Sequence, residues 1–296
     1  MLKPFKFSVV IPTHNRRDLL RRCLGAVLNQ DYPDYEVIVV DDGSTDGTGE
    51  MVQREFPQVR YIRQESNRGP AAARNRGIEA ARGEIVAFTD DDCVVPRDWL
   101  ARLADGFRRY PDVAGVGGFQ DPPETLIRRN LIARSEHARR LRRWGGRSAQ
   151  EVMGGAEIPG LGTNNVAYRR DVLLQVGGFD EHFPVAAGED ADLKLRIAQA
   201  GYRLLYIPFG VEHYRTYTWK AQWRMSVRRG IGVYYFEAKH GRPPGRWRIL
   251  LRVGKRLLQF PIRLMQMPPR VAAVITASEL ADAWGQWQMA GKFRAR

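Results

Sequence analysis

Three adjacent aspartates follow the apolar run that ends at Phe88-Thr89. Carboxylates placed side by side repel one another, and a hard divalent cation such as Mg²⁺ or Mn²⁺ removes this cost by binding their oxygens. Because side chains alternate along an extended segment, we expect Asp90 and Asp92 on one side, where they can share one ion, and Asp91 on the other. A solvated acidic loop is the alternative interpretation of the triplet.

Charged side chains also stand near the start of two predicted helices. Arg74 lies one turn into the helix predicted from Pro70 to Arg82, where free backbone N–H groups and the helix dipole favour an anion. A guanidinium there suits a diphosphate or a base edge. Glu189 and Asp190 stand at the start of a helix predicted from about Asp190 to Ala200, and either carboxylate is a candidate general base. For both sites the alternative is a charged helix surface without a ligand.

The elements that must position these side chains follow the pattern of an α/β protein. Strand-like and helix-like runs alternate over the first 120 residues, which is typical of a parallel sheet with crossover helices. In such sheets ligands bind at the carboxyl ends of the strands, and polar clusters follow three of the first four predicted strands. The predicted strands are Phe7–Ile11, Glu36–Val40, Val59–Arg63, Glu84–Thr89 and, late in the chain, Tyr202–Pro208.

The composition divides the 296-residue chain into segments. We predict a catalytic domain at 1–219, made of a nucleotide-binding half at 1–120 and an acceptor half at 121–219. A basic, amphipathic helical region follows at 220–296. No stretch of that region reaches the roughly 18 uncharged apolar residues that a transmembrane helix needs.

The two cysteines and the N-terminus bear on the compartment. Cys23 and Cys93 each lie in an apolar stretch, and we interpret both as core residues of a protein in a reducing compartment. The first apolar run stops at Pro12, which makes it too short for the core of a signal peptide. We therefore expect a cytoplasmic protein.

Several motifs, in order and spacing, resemble those of family-2 glycosyltransferases, and the resemblance covers roughly residues 5–215. It implies a GT-A fold, which is a mostly parallel, Rossmann-like sheet, and a nucleotide-sugar donor. The motifs are SVVIPTHN at 8–15, VVDDGSTD at 39–46, NRGPAAARN at 67–75, FTDDD at 88–92, GLGTNN at 160–165, GGFDE at 177–181 and GEDADL at 188–193.

The resemblance also implies which residues hold the donor. The second-strand aspartates, Asp41 and Asp42, serve the nucleotide base in the family, and either one can accept the imide N–H of uracil or thymine. Asn164 and Asn165 are candidates for the sugar hydroxyls, with a turn role as the alternative. The expected donor site comprises Pro12, Thr13, Asn15, Asp41, Asp42, Asn67, Arg74, Asp90, Asp91, Asn164 and Asn165.

For catalysis, the resemblance matches Asp190 to the family's general base, and Glu189 is expected to orient the acceptor or the base. Asp90 and Asp92 are the expected ligands of Mn²⁺ or Mg²⁺. His213 corresponds to a further metal ligand in some relatives, although a lone histidine with a structural hydrogen bond is the alternative. The implied reaction is one in-line displacement with inversion.

We therefore predict a metal-dependent, inverting glycosyltransferase that uses a UDP- or dTDP-sugar in bacterial cell-surface polysaccharide or glycolipid assembly. Two alternatives are a sugar-phosphate nucleotidyltransferase and a basic nucleic-acid-binding protein. The first would carry a glycine-rich phosphate loop where Pro12-Thr-His-Asn15 stands. The second would be expected to have lost its carboxylate motifs, and these are intact, so we expect no specific nucleic-acid partner.

The formal net charge of +14 calls for an anionic partner, and arginines concentrate at 128–147 and after Arg224. In the tail, Arg248, Arg252, Arg256 and Arg263 alternate with apolar residues on predicted helices that are broken at Pro261 and Pro268. We expect this pattern to lie in the headgroup layer of an anionic membrane, with a glycan or lipid-linked acceptor. The protein would then be peripheral at the inner face of the cell membrane. The alternative is an apolar face packed on the catalytic domain and solvated arginines.

Overall fold

The computed structural model describes residues 4–144, 149–241 and 243–293. They fall into two compact units. The first contains the described residues within 1–121, 146–181 and 190–214, and the second those within 122–145, 182–189 and 215–296. Residues 145–147 of the basic mid-chain segment, and residues 242 and 294–296 of the tail, lie outside the described residues.

The first unit is built on one mixed sheet in the order β3-β2-β1-β4-β8-β6-β9, with β5 and β7 each paired to β9. The four strands β1 to β4 run parallel, β8 is antiparallel to β4 and β6, and β6 is parallel to β9. The predicted α/β class is confirmed. The strands are β1 Phe7–Thr13, β2 Tyr35–Asp41, β3 Arg60–Arg63, β4 Ile85–Phe88, β5 Cys93–Val94, β6 Val113–Asp121, β7 Val152–Gly154, β8 Val166–Arg169 and β9 Arg203–His213.

Strand β1 shows why the sheet has a core on each face. All seven of its residues are buried, as expected for a central strand of a parallel sheet covered on both sides. Val9 and Ile11 belong to one apolar cluster, and Val10 between them belongs to another. Alternate side chains along the strand therefore pack into two different apolar cores, one on each face of the sheet.

Helices of the first unit connect these strands. In α1, Leu20, Cys23, Leu24 and Val27 are buried at the spacing of one helix face. Cys23 and Cys93 are both buried, as predicted, and burial raises the pKa of each thiol well above its usual range. The helices are α1 Arg17–Val27, α2 Thr48–Glu55, α3 Pro70–Ala80, α4 Trp99–Arg109, α7 Arg170–Gln175 and α8 Glu189–Gln199.

The second unit, as far as it is described, is helical. Pro261 lies in the first turn of α11 and Pro268 directly precedes α12, so both predicted breaks are confirmed. None of the described helices has the length and apolar content to cross a bilayer. The helices are α5 Glu124–Arg129, α6 Leu131–Trp144, α9 Trp219–Lys239, α10 Arg246–Leu258, α11 Phe260–Gln266 and α12 Pro269–Phe293.

Helices α9 and α12 approach closely through two glycines. A Cβ atom at Gly230 of α9 would collide with the backbone carbonyl oxygen of Asp282 in α12. A Cβ atom at Gly285 of α12 would collide in the same way with the carbonyl oxygen of Val227 in α9. The two backbones therefore pack at a separation that only glycine permits at these positions.

We expect Gly230→Ala to lower the free energy of unfolding of the second unit by roughly 1–3 kcal/mol, because the added methyl group must push the helices apart. Gly254→Ala in α10 is the matched control, since no atom lies within 4 Å of a Cβ there. That change should be neutral or stabilise by about 0.5–1 kcal/mol through helix propensity. Denaturant unfolding measures both, and equal stability of the two variants would contradict this packing.

Candidate functional site

The carboxyl ends of β1, β2 and β4 lie side by side at one edge of the sheet, because these neighbouring strands are parallel. The loop after β1 reaches both of its neighbours. Thr13 Oγ1 donates to Asp91 Oδ2 at 2.8 Å, while His14 Nδ1 lies 2.8 Å from the main-chain oxygen of Asp42. Pro12 and Thr13 are buried within β1.

Asn15 stabilises the turns at this edge. Its φ of +52° places it in the left-handed region, which asparagine tolerates better than most residues. Its backbone N–H donates to Ser44 Oγ, and its side-chain oxygen accepts from the Thr45 backbone N–H, each at 2.8 Å. Asn15 therefore joins the loop after β1 to the loop after β2.

The two aspartates at the end of the second strand, Asp41 in β2 and Asp42 directly after it, are both buried. Asp41 is completely buried and accepts from the Ser44 backbone N–H at 2.8 Å and from the Tyr61 hydroxyl. Asp42 accepts from the backbone N–H groups of Arg68 at 2.7 Å and Gly69 at 2.8 Å. Asp42 thus holds the loop that leads into α3, and a base contact by either carboxylate remains a prediction.

The aspartate triplet forms a turn, closed by a hydrogen bond from Cys93 N–H to the Asp90 carbonyl oxygen at 3.0 Å. The extended geometry that we expected for these residues is therefore wrong. Asp90 contacts Arg74, whereas Asp91 and Asp92 both contact Arg16. Asp90 accepts from Arg74 Nη2 at 2.9 Å. Asp91 Oδ1 accepts from Arg16 Nη1 at 3.0 Å, and burial raises the pKa of Asp91 to about 6.

Asp92 is brought to His213 by strand pairing. Cys93 of β5 lies opposite His213 of β9, and His213 Nε2 is 3.1 Å from Asp92 Oδ1. Arg16 Nη1 lies 2.8 Å from the other Asp92 oxygen. Although burial opposes it, the contacts with His213 and Arg16 lower the pKa of Asp92 to about 2, so this carboxylate is ionised.

A divalent ion fits this pair of side chains. Among the described residues, the ligand atoms of Asp92, Cys93 and His213 lie within 4.8 Å of one another, a group that does not include Asp90. Burial raises the pKa of the Cys93 thiol, and a protonated thiol is a poor metal ligand. The carboxylate and the imidazole remain, and both are ligands that Mn²⁺ accepts.

Arg74 is held in place by groups that sequence reasoning did not single out. It is only 4% exposed, and its guanidinium carbon lies 5.6 Å from the centroid of the Phe179 ring. Asn75 positions that phenylalanine through hydrogen bonds to both its backbone N–H, at 2.7 Å, and its carbonyl oxygen, at 2.8 Å. The motif GGFDE at 177–181 indicated this phenylalanine, because it places an aromatic residue directly after two glycines.

Asn67 accepts from the Gly69 backbone N–H at 3.2 Å and shapes the turn before α3.

The glycine-rich loop at 160–165 contacts the end of β4 and lies near the candidate base Asp190. Thr89 Oγ1 donates to the Asn164 carbonyl oxygen at 3.1 Å. In the same loop, a Cβ atom at Gly162 would lie 3.8 Å from Asp190 Oδ2. The loop therefore lies next to two parts of the site: the strand end that precedes the aspartate triplet, and Asp190, which is partly exposed. Glu189, the first residue of α8, is buried.

Asn165 does not face a ligand. It is completely buried, its Oδ1 accepts from Trp99 Nε1 at 2.9 Å, and its Nδ2 donates to the Phe119 carbonyl oxygen at 2.8 Å. A contact between this side chain and the donor sugar, as we expected from the motif, therefore does not fit the structure. Asn164 is partly exposed, and its contact with the donor sugar remains a prediction.

We expect Asn165→Ala to lower the free energy of unfolding by about 1–3 kcal/mol, because the buried Trp99 N–H loses its acceptor. Asn164→Ala is the matched control, since its side chain is partly exposed and the carbonyl that binds Thr89 is retained. The control should unfold like the wild type. Thermal or urea unfolding of both variants measures the difference, and a stability loss confined to the control would reverse these assignments.

The chain is similar to known proteins over most of its length. A family model described as Glycosyl transferase family 2 matches residues 8–177. Glycosyltransferase AglE of Haloferax volcanii is 31% identical over 208 residues, which are 67% of this chain and 63% of that protein. The glucosyl-dolichyl phosphate glucuronosyltransferase of the same organism is 27% identical over 241 residues, covering 78% of this chain and 75% of its own length. The chain thus spans less than two thirds of AglE.

Nearly the whole chain is similar to a solved structure. That structure is the mannosyltransferase PcManGT from Pyrobaculum calidifontis in complex with GDP-Man and Mn²⁺, with a TM-score of 0.67 and 23% identity. The alignment covers 96% of this chain and 88% of PcManGT. At this identity the likeness shows the fold, and the predicted GT-A fold is confirmed.

Proposed function

The chain belongs to glycosyltransferase family 2, and from this premise we propose that it transfers a sugar, with inversion, from a nucleotide-sugar donor to an acceptor hydroxyl. One observation carries the proposal. The Asp92–His213 pair, the buried Arg74 and the partly exposed Asp190 are all linked to the carboxyl end of β4. This arrangement offers a metal ligand pair, a fixed cation and a carboxylate base for one bound donor.

The donor diphosphate is proposed to lie beside Arg74 and the aspartate turn. Arg74 is preorganised by Asp90 and Phe179, so it can bind a phosphate oxygen with little loss of side-chain freedom. Asp92 and His213 would hold a Mn²⁺ or Mg²⁺ ion, with Asp90 as a further candidate ligand. When bound, such an ion neutralises the negative charge of the leaving diphosphate. The complex of PcManGT with GDP-Man and Mn²⁺ supports this assignment.

Asp190 is the proposed general base. Its carboxylate takes the proton of the acceptor hydroxyl while that oxygen bonds to the anomeric carbon, and the bond from this carbon to the diphosphate oxygen breaks on the opposite face. The configuration therefore inverts in a single displacement. Glu189, which precedes Asp190 in α8, is proposed to orient the base or the acceptor.

The acceptor is proposed to be lipid-linked, in the assembly of a bacterial surface glycan at the cytoplasmic face of the membrane. The relative named as a glucosyl-dolichyl phosphate glucuronosyltransferase supports this choice, because its name specifies a lipid phosphate acceptor. The net charge of +14 supports it as well, since both a lipid diphosphate and the membrane surface are anionic.

A donor screen tests the proposed reaction. UDP-, dTDP- and GDP-sugars are incubated with the protein and Mn²⁺, and release of the nucleoside diphosphate is measured with and without a lipid phosphate or diphosphate acceptor. We expect UDP- or dTDP-sugars to give acceptor-dependent release. A protein that binds none of these donors and releases no diphosphate would overturn the proposal.

A further inference from the structure

Three arginines of helices α10 and α11 point into the second unit. Arg252 forms a paired contact with Glu237 of α9, with N–O distances of 2.9 and 3.1 Å. Arg256 Nη2 lies 3.0 Å from Asp282 of α12. Three of the four tail arginines that we expected at a membrane headgroup layer, Arg252, Arg256 and Arg263, therefore have acidic partners inside the second unit.

Arg263 shows the arrangement most clearly. It is only 4% exposed and its guanidinium lies 2.8 Å from Glu279 Oε2 and 2.9 Å from Thr276 Oγ1, both in α12. The buried arginine and the partly exposed glutamate neutralise each other's charge at that position. The faces of α10 and α11 that pack on the unit thus combine paired arginines with apolar side chains such as Ile249 and Val253.

The outward faces of the same two helices are apolar. Eight large side chains there are exposed, and Leu258 and Met265 are the most exposed, at 78% and 79%. A run of large apolar side chains in water is costly and marks a contact surface. We name this surface the apolar ridge. It consists of Trp247, Leu250, Leu251, Leu257, Leu258, Ile262, Leu264 and Met265.

Basic residues border the apolar ridge. On a helix with about 100° between successive residues, Arg246 falls on one side of the exposed arc of α10, and Arg248 and Lys255 fall on the other. All three are exposed, as is Arg270 at the start of α12. An apolar stripe with cations along both sides matches a bilayer, where acyl chains lie below a layer of anionic headgroups.

We propose that the apolar ridge inserts into an anionic bilayer, with Arg246, Arg248 and Lys255 at the level of the headgroups. The biological setting of this inference rests on the proposed lipid-linked acceptor, while the contact itself rests on the second unit alone. Inward ion pairs and outward leucines are the arrangement expected of helices whose outer surroundings are apolar. The tail would therefore bind by insertion, and not only by attraction of its arginines to the surface.

Vesicle flotation with the full 296-residue chain tests the inference. We expect the protein to float with vesicles that contain phosphatidylglycerol and, once bound, to stay bound in about 0.5 M salt, because salt screens charges but leaves apolar insertion intact. The double variant Leu258→Asp, Met265→Asp should lower the bound fraction by roughly tenfold or more. Leu174→Asp in α7 is the matched control, since Leu174 is 48% exposed but lies outside the apolar ridge.

Three results would overturn the inference. The first is a wild-type protein that does not float, and the second is a double variant that floats like the control. The third is complete release of the protein by salt, which would show that it binds the vesicles through surface charge alone. If light scattering shows a dimer that the double variant dissociates, and vesicles are not bound, the apolar ridge is covered by a second copy instead.

The same preparations separate this inference from the proposed function. Thermal stabilisation by UDP or dTDP with Mn²⁺ is measured on each variant, and all should respond like the wild type, because the substituted side chains are exposed and lie outside the candidate site. Flotation without nucleotide response would contradict the proposed function alone. A nucleotide response without flotation would contradict the apolar ridge alone.

Discussion

Replacing Asp190 by asparagine is expected to slow sugar transfer by roughly 10²–10⁴-fold while the donor still binds, which is the usual contribution of a general base. The amide keeps the size of the carboxylate but cannot take the acceptor proton. Donor affinity should be retained because Arg74 and the Asp92–His213 pair are unchanged. Single-turnover transfer and donor titration measure the two effects separately.

Asp171→Asn is the matched control for this change. Asp171 is an exposed carboxylate in the first turn of α7, as Asp190 is a carboxylate in the first turn of α8. If Asp190 only stabilised a helix N-terminus, both variants would behave alike and transfer would stay near normal. Such a result would move the base elsewhere.

The second large effect is expected at Asp92. In the wild type, UDP or dTDP should stabilise the protein only when Mn²⁺ or Mg²⁺ is present, by about 2.7 kcal/mol at a ligand concentration of 100 Kd. Asp92→Ala should abolish this stabilisation, because it removes the carboxylate that lies 3.1 Å from His213. Chelation of the metal in the wild type should give the same loss. Thermal unfolding with and without nucleotide measures the shift within each variant.

Glu212→Ala provides the control for that experiment. Glu212 adjoins His213 in β9 but is exposed, and its carboxylate accepts from the Tyr214 hydroxyl at 2.8 Å. Its nucleotide response should equal that of the wild type. An Asp92→Ala protein that responds as strongly as this control would remove the metal assignment.

The strands that carry the site were predictable because their signals are local. A buried run such as 7–11 or 84–89 is largely apolar in the sequence and is soon followed by polar residues. One short segment therefore predicts both the strand and the polar side chains at its carboxyl end. The helices of the tail were predictable too, since their breaks coincide with Pro261 and Pro268.

Partners that are distant in the chain were not predictable. Asp92 meets His213 only through the pairing of β5 with β9, and a register is a property of two strands together. The turn at 90–92 likewise overrode the alternation that an extended segment would have imposed. Asn165 shows a third case, because the Trp99 side chain that donates to it lies 66 residues earlier in the chain.

The sequence by itself determined the family, the parallel strands and the carboxylates available for chemistry, because motifs and hydrophobic periodicity involve residues that are close together in the chain. It also determined that α10 has a basic face and an apolar face. Only the tertiary structure decided which face is covered, since periodicity specifies two faces but not the neighbour of either. Glu237 of α9 and Asp282 of α12 draw Arg252 and Arg256 inward, and the leucines are left outside.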